Sequence, residues 1–337
     1  MDTINLKKLA KELNLSISTI SKAFRNSYDI NPKTKARILA LAKELNYQPN
    51  PLASSLRTQK SKTIAVIVPE IANSFFALAI NGIESIAQEE GYHVLIYLTH
   101  EDHAKEVAFT QHLQSGRVDG VLMSLSDGTK DGFHLDHLRE KGIPVVFFDR
   151  IYEHGNTTKV TTNDFESGYK ATQHLIEQGC KKIAHLYISK NLSIGNKRME
   201  GYLQALKDNG LNINKKFIVP CSNNDENNYK SIKAVLKNKD RPDGIFSSFE
   251  KLAFLSYQAC EELNLSIPKD IKIISFSNME TASLLNPPLT TIIQPAFEIG
   301  KEAASVLFKA LRKNSVAIPN EHTIINSVLI KRRSTER

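Results

Sequence analysis

Three side chains near the amino terminus have the types and spacing to read nucleic-acid bases. Ile17, Ser18 and Lys22 fall within one short helical pattern. An isoleucine can touch a thymine methyl, a serine can pair with several bases, and a lysine can donate to guanine O6 or N7. Elsewhere the chemistry is sparse. The chain has no P-loop, no GxGxxG after a strand, no GxSxG elbow and no HExxH. His100 and His103 are close in sequence, as are His134 and His137, with acidic residues between them. Either pair could hold a metal, but no third ligand is in view, and a solvated surface is the expectation. No carboxylate pair has a spacing that argues for acid–base work. No catalytic residue, metal or cofactor is therefore assigned.

The helices that would position those side chains can be read from periodicity. Leu6, Leu9, Ala10 and Leu13 recur at helical spacing until Asn14 breaks the pattern. Ser16 suits the N-cap of a second helix, Ile17 to Phe24, with Ile20, Ala23 and Phe24 facing inward. Asn31-Pro32 opens a third, whose apolar stripe is Ile38, Leu41, Ala42 and Leu45. Two short helices, a tight turn and a third helix behind them make a helix-turn-helix, in which the second helix enters the DNA major groove. The candidate contacts are then Ser16, Ile17, Ser18, Thr19, Ser21 and Lys22. The alternative is a small three-helix domain with an ordinary polar surface. Charge bears on the choice. Residues 1–60 hold 11 Lys+Arg against 4 Asp+Glu, a net of +7, whereas the whole chain is +8, leaving +1 for the remaining 277 residues. A basic excess confined to one segment is the footprint of a nucleic-acid-binding module; a solvated basic face is the alternative.

Asn50-Pro51 can start a further helix, Leu52 to Arg57, too short to be stable alone in water. Ala53, Ser54 and Ser55 permit close approach of another backbone, and Leu56 suits a wedge between base steps in the minor groove. The runs ISTISKAFRN and NYQPNPLASSLRTQKSKTIAVIVPEIANSFF resemble the lac repressor (LacI/GalR) family of bacterial transcription regulators, and the resemblance extends almost to the carboxyl terminus. It implies that the segment matching Pro51 to Arg57 is a hinge helix formed on operator DNA, with the residue at Leu56 intercalating. Asn50, Leu52, Ala53 and Leu56 join the DNA-contact candidates on that basis.

A length of 337 residues suggests two or three domains, and 41% hydrophobic with 24% charged residues is ordinary for a globular protein. Cys180, Cys221 and Cys260 are far apart with no CxxC spacing, and read as reduced thiols. No apolar signal region and no membrane-spanning run is present, so a cytoplasmic protein is expected. From Ile64 onward strand and helix patterns alternate, which predicts parallel sheets covered by helices on both faces. The expected fold is an α/β effector body of two doubly wound lobes preceded by an all-α helix-turn-helix domain. The resemblance implies a periplasmic-binding-protein-like body with three crossings between lobes, placed near Thr162, Thr291 and Glu321. The resulting boundaries are 1–49 for the DNA-binding domain and 50–62 for the hinge and linker. The effector and dimerisation domain is 63–330, with lobe 1 at about 63–161 and 292–320 and lobe 2 at about 162–291 and 321–330.

Ligands of open α/β sheets bind at the carboxyl ends of strands. The resemblance places Asn73 and Phe75 in a cleft-lining loop, with Phe75 stacking on an apolar ligand face or else packing inside. Asp149 and Arg150 end a strand at FFDR; together they can grip vicinal hydroxyls, and a plain salt bridge is the alternative. Asn163-Asp164 at the first crossing lines the cleft or caps a helix. Arg198 matches the family's ligand-gripping arginine, Phe246 is a candidate to stack from the other lobe, and Gln294 lies at the second crossing. Two departures stand out: Phe249-Glu250 replaces the family's Asn-Asp, and SFSN puts Ser277 and Asn278 where an aspartate is common. A carboxylate lost with both arginines kept leaves two readings open: an anionic sugar derivative, such as a uronate or sugar phosphate, or a neutral sugar held by other hydrogen bonds.

The expectation is a non-enzymatic transcription regulator, a repressor that binds a pseudo-palindromic operator as a homodimer under control of a small carbohydrate-type effector. Within the class the alternative is an activator or a corepressor-dependent regulator. Outside it, the rivals are a solute-binding receptor and an α/β enzyme with an accessory DNA-binding domain.

Overall fold

A computed structural model describes residues 5–24, 27–47, 60–129, 132–152, 157–188, 192–313 and 320–336. The chain divides after Ser61 into two units. In the first, α1 (Leu6–Leu13), α2 (Ile17–Phe24) and α3 (Pro32–Glu44) form where capping residues predict them. Asn5 accepts a bond from the Lys8 amide, Ser16 Oγ from the Thr19 amide, and Asn31 from the Lys33 amide ahead of Pro32 at the first helical position. Asn14 closes α1 in the left-handed region at φ 52°, which asparagine tolerates better than most residues. Leu9, Ala10, Ile20, Ala23, Ile38 and Ala42 form the buried core, with Leu6, Leu13, Phe24, Leu41 and Leu45 packed around it. These are the stripes expected from periodicity.

The second unit contains two six-stranded sheets. Lobe 1 is built on β1 (Thr63–Val68), β2 (His93–Leu98), β3 (Gly120–Met123), β4 (Val145–Phe148), β5 (Thr158–Thr162) and a late strand, β11 (His322–Ile325), in the order β11-β5-β4-β3-β1-β2. Every ladder in it is parallel. Helices α4 (Ser74–Glu89) and α11 (Ala296–Arg312) cover one face, through Ala79, Ile83, Ile299, Ala303 and Leu307. Helices α5 (His103–Leu113) and α6 (Phe133–Glu140) cover the other, through Leu113, Leu135 and Leu138.

Lobe 2 repeats the plan with β6 (Ile183–Ile188), β7 (Ile218–Cys221), β8 (Gly244–Ser247), β9 (Lys272–Phe276), β10 (Thr290–Ile293) and β12 (Val328–Ile330), in the order β12-β10-β9-β8-β6-β7. Only the β10–β12 pairing is antiparallel among the described ladders. Helices α7 (Asp164–Glu177) and α8 (Ser193–Asp208) cover one face, α9 (Asp225–Lys237) and α10 (Glu250–Glu262) the other.

The chain crosses between sheets at 163, 294–295 and 326–327. The second and third crossings fall later than the expected Thr291 and Glu321, because β10 belongs to lobe 2 as far as Ile293 and β11 belongs to lobe 1 from His322. Strands β5 and β11 are short and polar-rich, and β12 is only three residues long, so none carries a strand pattern of its own. Their place comes from register against longer neighbours, as in Lys159 paired with His322 and Ile292 with Leu329. Among the described residues, no helix is long and apolar enough to cross a membrane.

Candidate functional site

In the first unit the apolar and polar faces of α2 separate cleanly. Ile20 is fully buried while Ile17, three residues earlier, is 45% exposed beside exposed Ser18. An exposed isoleucine at the start of a helix has no packing role in this unit, which suits a thymine methyl. Ser16 and Thr19 are committed to the helix start: Ser16 Oγ lies 2.7 Å from Ser18 Oγ and 2.8 Å from Thr19 Oγ1. Lys22 donates to Asp29, whose carboxyl is held below its usual range by that bond and by Ser27. Ser21 sits half-buried on the same helix. Asn50, Leu52, Ala53 and Leu56 lie outside the described residues.

In the second unit the candidates gather at the strand ends that face the cleft between lobes. Arg198, on α8 and 1% exposed, is the centre. Its Nε donates to Asp164 Oδ1 at 2.7 Å and its Nη1 to the Ser248 carbonyl at 2.9 Å, while its guanidinium lies 3.6 Å over the Phe276 ring. The helix crossing that brings Arg198 to Asp164 depends on glycine. A Cβ on Gly168 would meet the Arg198 carbonyl at 2.4 Å, and one on Gly201 would meet the Phe165 carbonyl at 2.1 Å. Asp149 follows β4 with φ 60°, a strained backbone that also presents Arg150 to the cleft. Gln294 Nε2 reaches Asp149 Oδ1 at 3.4 Å, so the second crossing contacts lobe 1. Arg150 Nη1 donates to Glu101 at 2.6 Å.

Asn73, Phe75, Asp149, Arg150, Arg198, Ser277 and Gln294 line one small cavity of about 30 Å³. Asn73, Arg150, Phe249 and Glu250 are shared with an adjoining cavity of about 430 Å³. Phe75 is both packed and cleft-lining: it sits in the lobe 1 core, edge-on to Phe76, and walls the small cavity. Asp164 is not a helix cap but the first residue of α7, and Asn163 makes no capping bond. Instead Asn163 Oδ1 accepts from the Ser327 amide at 2.9 Å, tying the first crossing to the third.

Phe246 does not stack in the cleft. It is fully buried in the core of lobe 2, 4.4 Å from the His185 ring, because its pairing with Ile274 leaves it two residues short of Phe276 on the same sheet face. Phe276, on the neighbouring strand, instead lies under the Arg198 guanidinium and lines the small cavity. The sequence reading also missed Glu250 as a functional residue. Its carboxylate accepts from Ser277 Oγ at 2.7 Å and, across the cleft, from Ser74 Oγ at 3.4 Å. Its position beside the departure Phe249-Glu250 was the available signal. The sequence-adjacent histidine pairs do not form. His100 and His137 are exposed, whereas His103 and His134 meet around Glu106.

Burial dominates the electrostatics. It raises Asp149 against the opposing pull of Arg150 and Arg198, and it raises Asp164 to about 6 against Arg198. Glu250 is raised by burial and partly restored by Ser277 and Ser74. His185 is pushed down to about 3 by burial and stays neutral. Each arginine already faces a carboxylate, and Asp149 and Glu250 add further acid, so no surplus of positive charge awaits an anion. What remains is hydrogen-bonding capacity. Arg150 Nε and Arg198 Nη2 are buried donors with no hydrogen-bond partner among the described residues, although Arg150 Nε stands 4.0 Å from Asp149 Oδ2.

Comparison with known proteins follows the same division. Residues 5–50 match the family model for bacterial regulatory proteins of the lacI family, and residues 61–336 match that for periplasmic binding proteins and the sugar binding domain of the LacI family. The chain is 30% identical to the ribose operon repressor of Haemophilus influenzae, over 94% of this chain and 93% of that one. It is also 30% identical to the HTH-type transcriptional repressor PurR of Pectobacterium atrosepticum, over 98% and 96%. A crystal structure of a LacI family transcriptional regulator from Enterococcus faecium, with bound ribose, is 28% identical; it covers 81% of this chain and 98% of its own, with a TM-score of 0.71.

Proposed function

The chain belongs to the LacI family of bacterial regulatory proteins and is a DNA-binding transcriptional regulator, not an enzyme; from that premise we propose that it is a cytoplasmic repressor released or retained by a neutral sugar in the inter-lobe cleft. One observation carries the effector class: two buried guanidinium donors without hydrogen-bond partners among the described residues, Arg150 Nε and Arg198 Nη2, stand beside the buried carboxylates Asp149 and Asp164. Adjacent donors and acceptors are what vicinal hydroxyls require, since each hydroxyl both gives and accepts a hydrogen bond. The ribose operon and bound ribose named for two relatives agree with that chemistry, whereas PurR, equally similar to this chain, names no sugar. The small cavity has room for little more than a water. A sugar therefore enters through the adjoining cavity of about 430 Å³, which is within the usual range for ligand sites, as the lobes part.

The operator is a pseudo-palindrome read by a homodimer, with two α2 helices in successive major grooves about 34–36 Å apart. Exposed Leu78, Leu95 and Ile96 on α4 and the edge strand β2 of lobe 1 support a dimer contact there. The segment 50–62 acts as the hinge, with Leu56 and its mate wedged into the central minor groove.

The test is selection of genomic DNA fragments by the purified protein at fixed, near-physiological salt, repeated with a panel of neutral and anionic sugars. Enrichment of one pseudo-palindrome, altered by a neutral sugar, is expected. The variant Arg198→Lys keeps the charge beside Asp164 but loses the fork, so it should bind the same DNA and ignore the sugar. A response only to sugar phosphates or uronates, or an intact response in Arg198→Lys, would sink the effector reading.

A further inference from the structure

We propose that lobe 1 carries a binding site for one divalent transition-metal ion of the zinc class, formed by His103, Glu106 and His134. His103 and Glu106 stand one helical turn apart at the start of α5, so their side chains share a face. The start of α6 brings His134 alongside. The three ligand atoms lie within 4.8 Å of one another. Glu106 Oε1 is 2.9 Å from His134 Nε2 and 3.7 Å from His103 Nδ1. Ligands bound about 2.0–2.2 Å from a tetrahedral ion stand about 3.4 Å apart, so little movement is needed to close the set.

Two further features point to a ligand. First, His103 Nδ1, the ring nitrogen on the Glu106 side, is buried without a hydrogen-bond partner among the described residues. A ring nitrogen in that state costs free energy that a metal bond would recover. Second, the carboxylate is oriented as an outer shell orients a metal ligand. Glu106 Oε2 accepts from the Ser126 amide at 2.8 Å and Ser126 Oγ at 2.7 Å, and Oε1 accepts from Thr129 Oγ1 at 2.7 Å. Two imidazoles with one carboxylate suit zinc, cobalt, nickel or copper, whereas magnesium and calcium prefer oxygen alone. The His103 side chain is 32% exposed, which leaves an entry path and an open coordination position. The ion would brace the 126–129 loop, whose Asp127 amide donates to Glu101, the carboxylate that holds Arg150.

The experiment uses the full-length chain, freed of any affinity tag and stripped of metal, titrated calorimetrically with Zn²⁺ and followed by visible absorption with Co²⁺. One ion per chain is expected, with a higher Tm in Zn²⁺ and no comparable effect of Mg²⁺. His103→Ala removes a partly exposed ligand without opening the core, and should weaken Zn²⁺ binding by about 10-fold or more. His134→Gln should do the same, while His137→Ala, an exposed neighbour, should bind as the parent does. The proposal is overturned by the absence of stoichiometric binding, by parent-like affinity in His103→Ala, or by loss of binding in His137→Ala.

Discussion

Ile17 and Ile20 are one helical turn apart and have opposite fates, which makes them a sharp test of the DNA-facing surface. Ile20→Ala deletes buried methyl groups from the core of a three-helix unit and should cost about 2–5 kcal/mol, read as a lower melting transition for that unit. Ile17→Ala should leave stability within about 0.5 kcal/mol while weakening operator binding at a thymine-bearing step by about 1 kcal/mol, read by binding to single-base operator variants. In the cleft, Asp164 makes a pH prediction. Its folded-state pKa, about 6, lies above the ordinary 3.8, so folding favours the protonated form. The resulting stability is complete below about pH 4 and is lost as pH rises through about 6. Asp164→Asn lacks this contribution. The Tm advantage of the parent over that variant should therefore shrink between about pH 4 and about pH 6, and a constant difference would remove the assignment.

At the scale of elements, the α7–α8 crossing is where packing becomes function. Gly168 and Gly201 let the two backbones approach closely enough for Arg198 on one helix to bond Asp164 on the other. Gly168→Ala should push α8 away and cost about 1–3 kcal/mol, with loss of effector response and retained operator binding in the absence of effector. The measurements are denaturant unfolding and effector titration. This crossing was not legible in the sequence, although both helices were, because a glycine inside a helical pattern does not say which backbone approaches it. Phe246 failed for a related reason. Phe246 and Phe276 share one sheet face, since Phe246 pairs with Ile274, and only the register decides which ring reaches the strand end beside Arg198. The histidines show the same limit. Sequence proximity suggested His100 with His103 and His134 with His137, whereas α5 and α6 assemble His103, Glu106 and His134.

At the scale of the whole molecule, the predicted quantity is a coupling. If the cleft and the operator site share one equilibrium, operator DNA must change sugar affinity by the same factor by which the sugar changes operator affinity, typically about 5–150-fold or about 1–3 kcal/mol. Isothermal titration of sugar into the protein, with and without operator, measures one side; operator binding with and without sugar measures the other. Unequal factors would mean that the two sites do not report on the same pair of states. Within the second unit, polar ties among the described residues join the crossings and the two lobes. Asn163 joins the first crossing to the third through Ser327, Gln294 contacts Asp149, and Glu250 reaches Ser74 across the cleft. Small numbers of polar contacts between large cores can be exchanged at modest cost, whereas the cores themselves resist deformation.

The amino-acid sequence alone determined the helical stripes of the first unit, its caps, the concentration of basic charge before residue 61 and the alternation of strand and helix after it; the family resemblance added seven of the fourteen residues that line the small cavity. These are legible because capping, periodicity and charge are local, and because strand ends in open α/β sheets are the usual place for ligands. Only the tertiary structure decided that Asp164 pairs with Arg198, that Phe276 rather than Phe246 stacks on it, that Glu250 spans the cleft, and that β11 and β12 belong to different sheets. Those outcomes depend on which distant backbones come together, and a short polar strand or a buried ring takes its place from its neighbours rather than from its own residues.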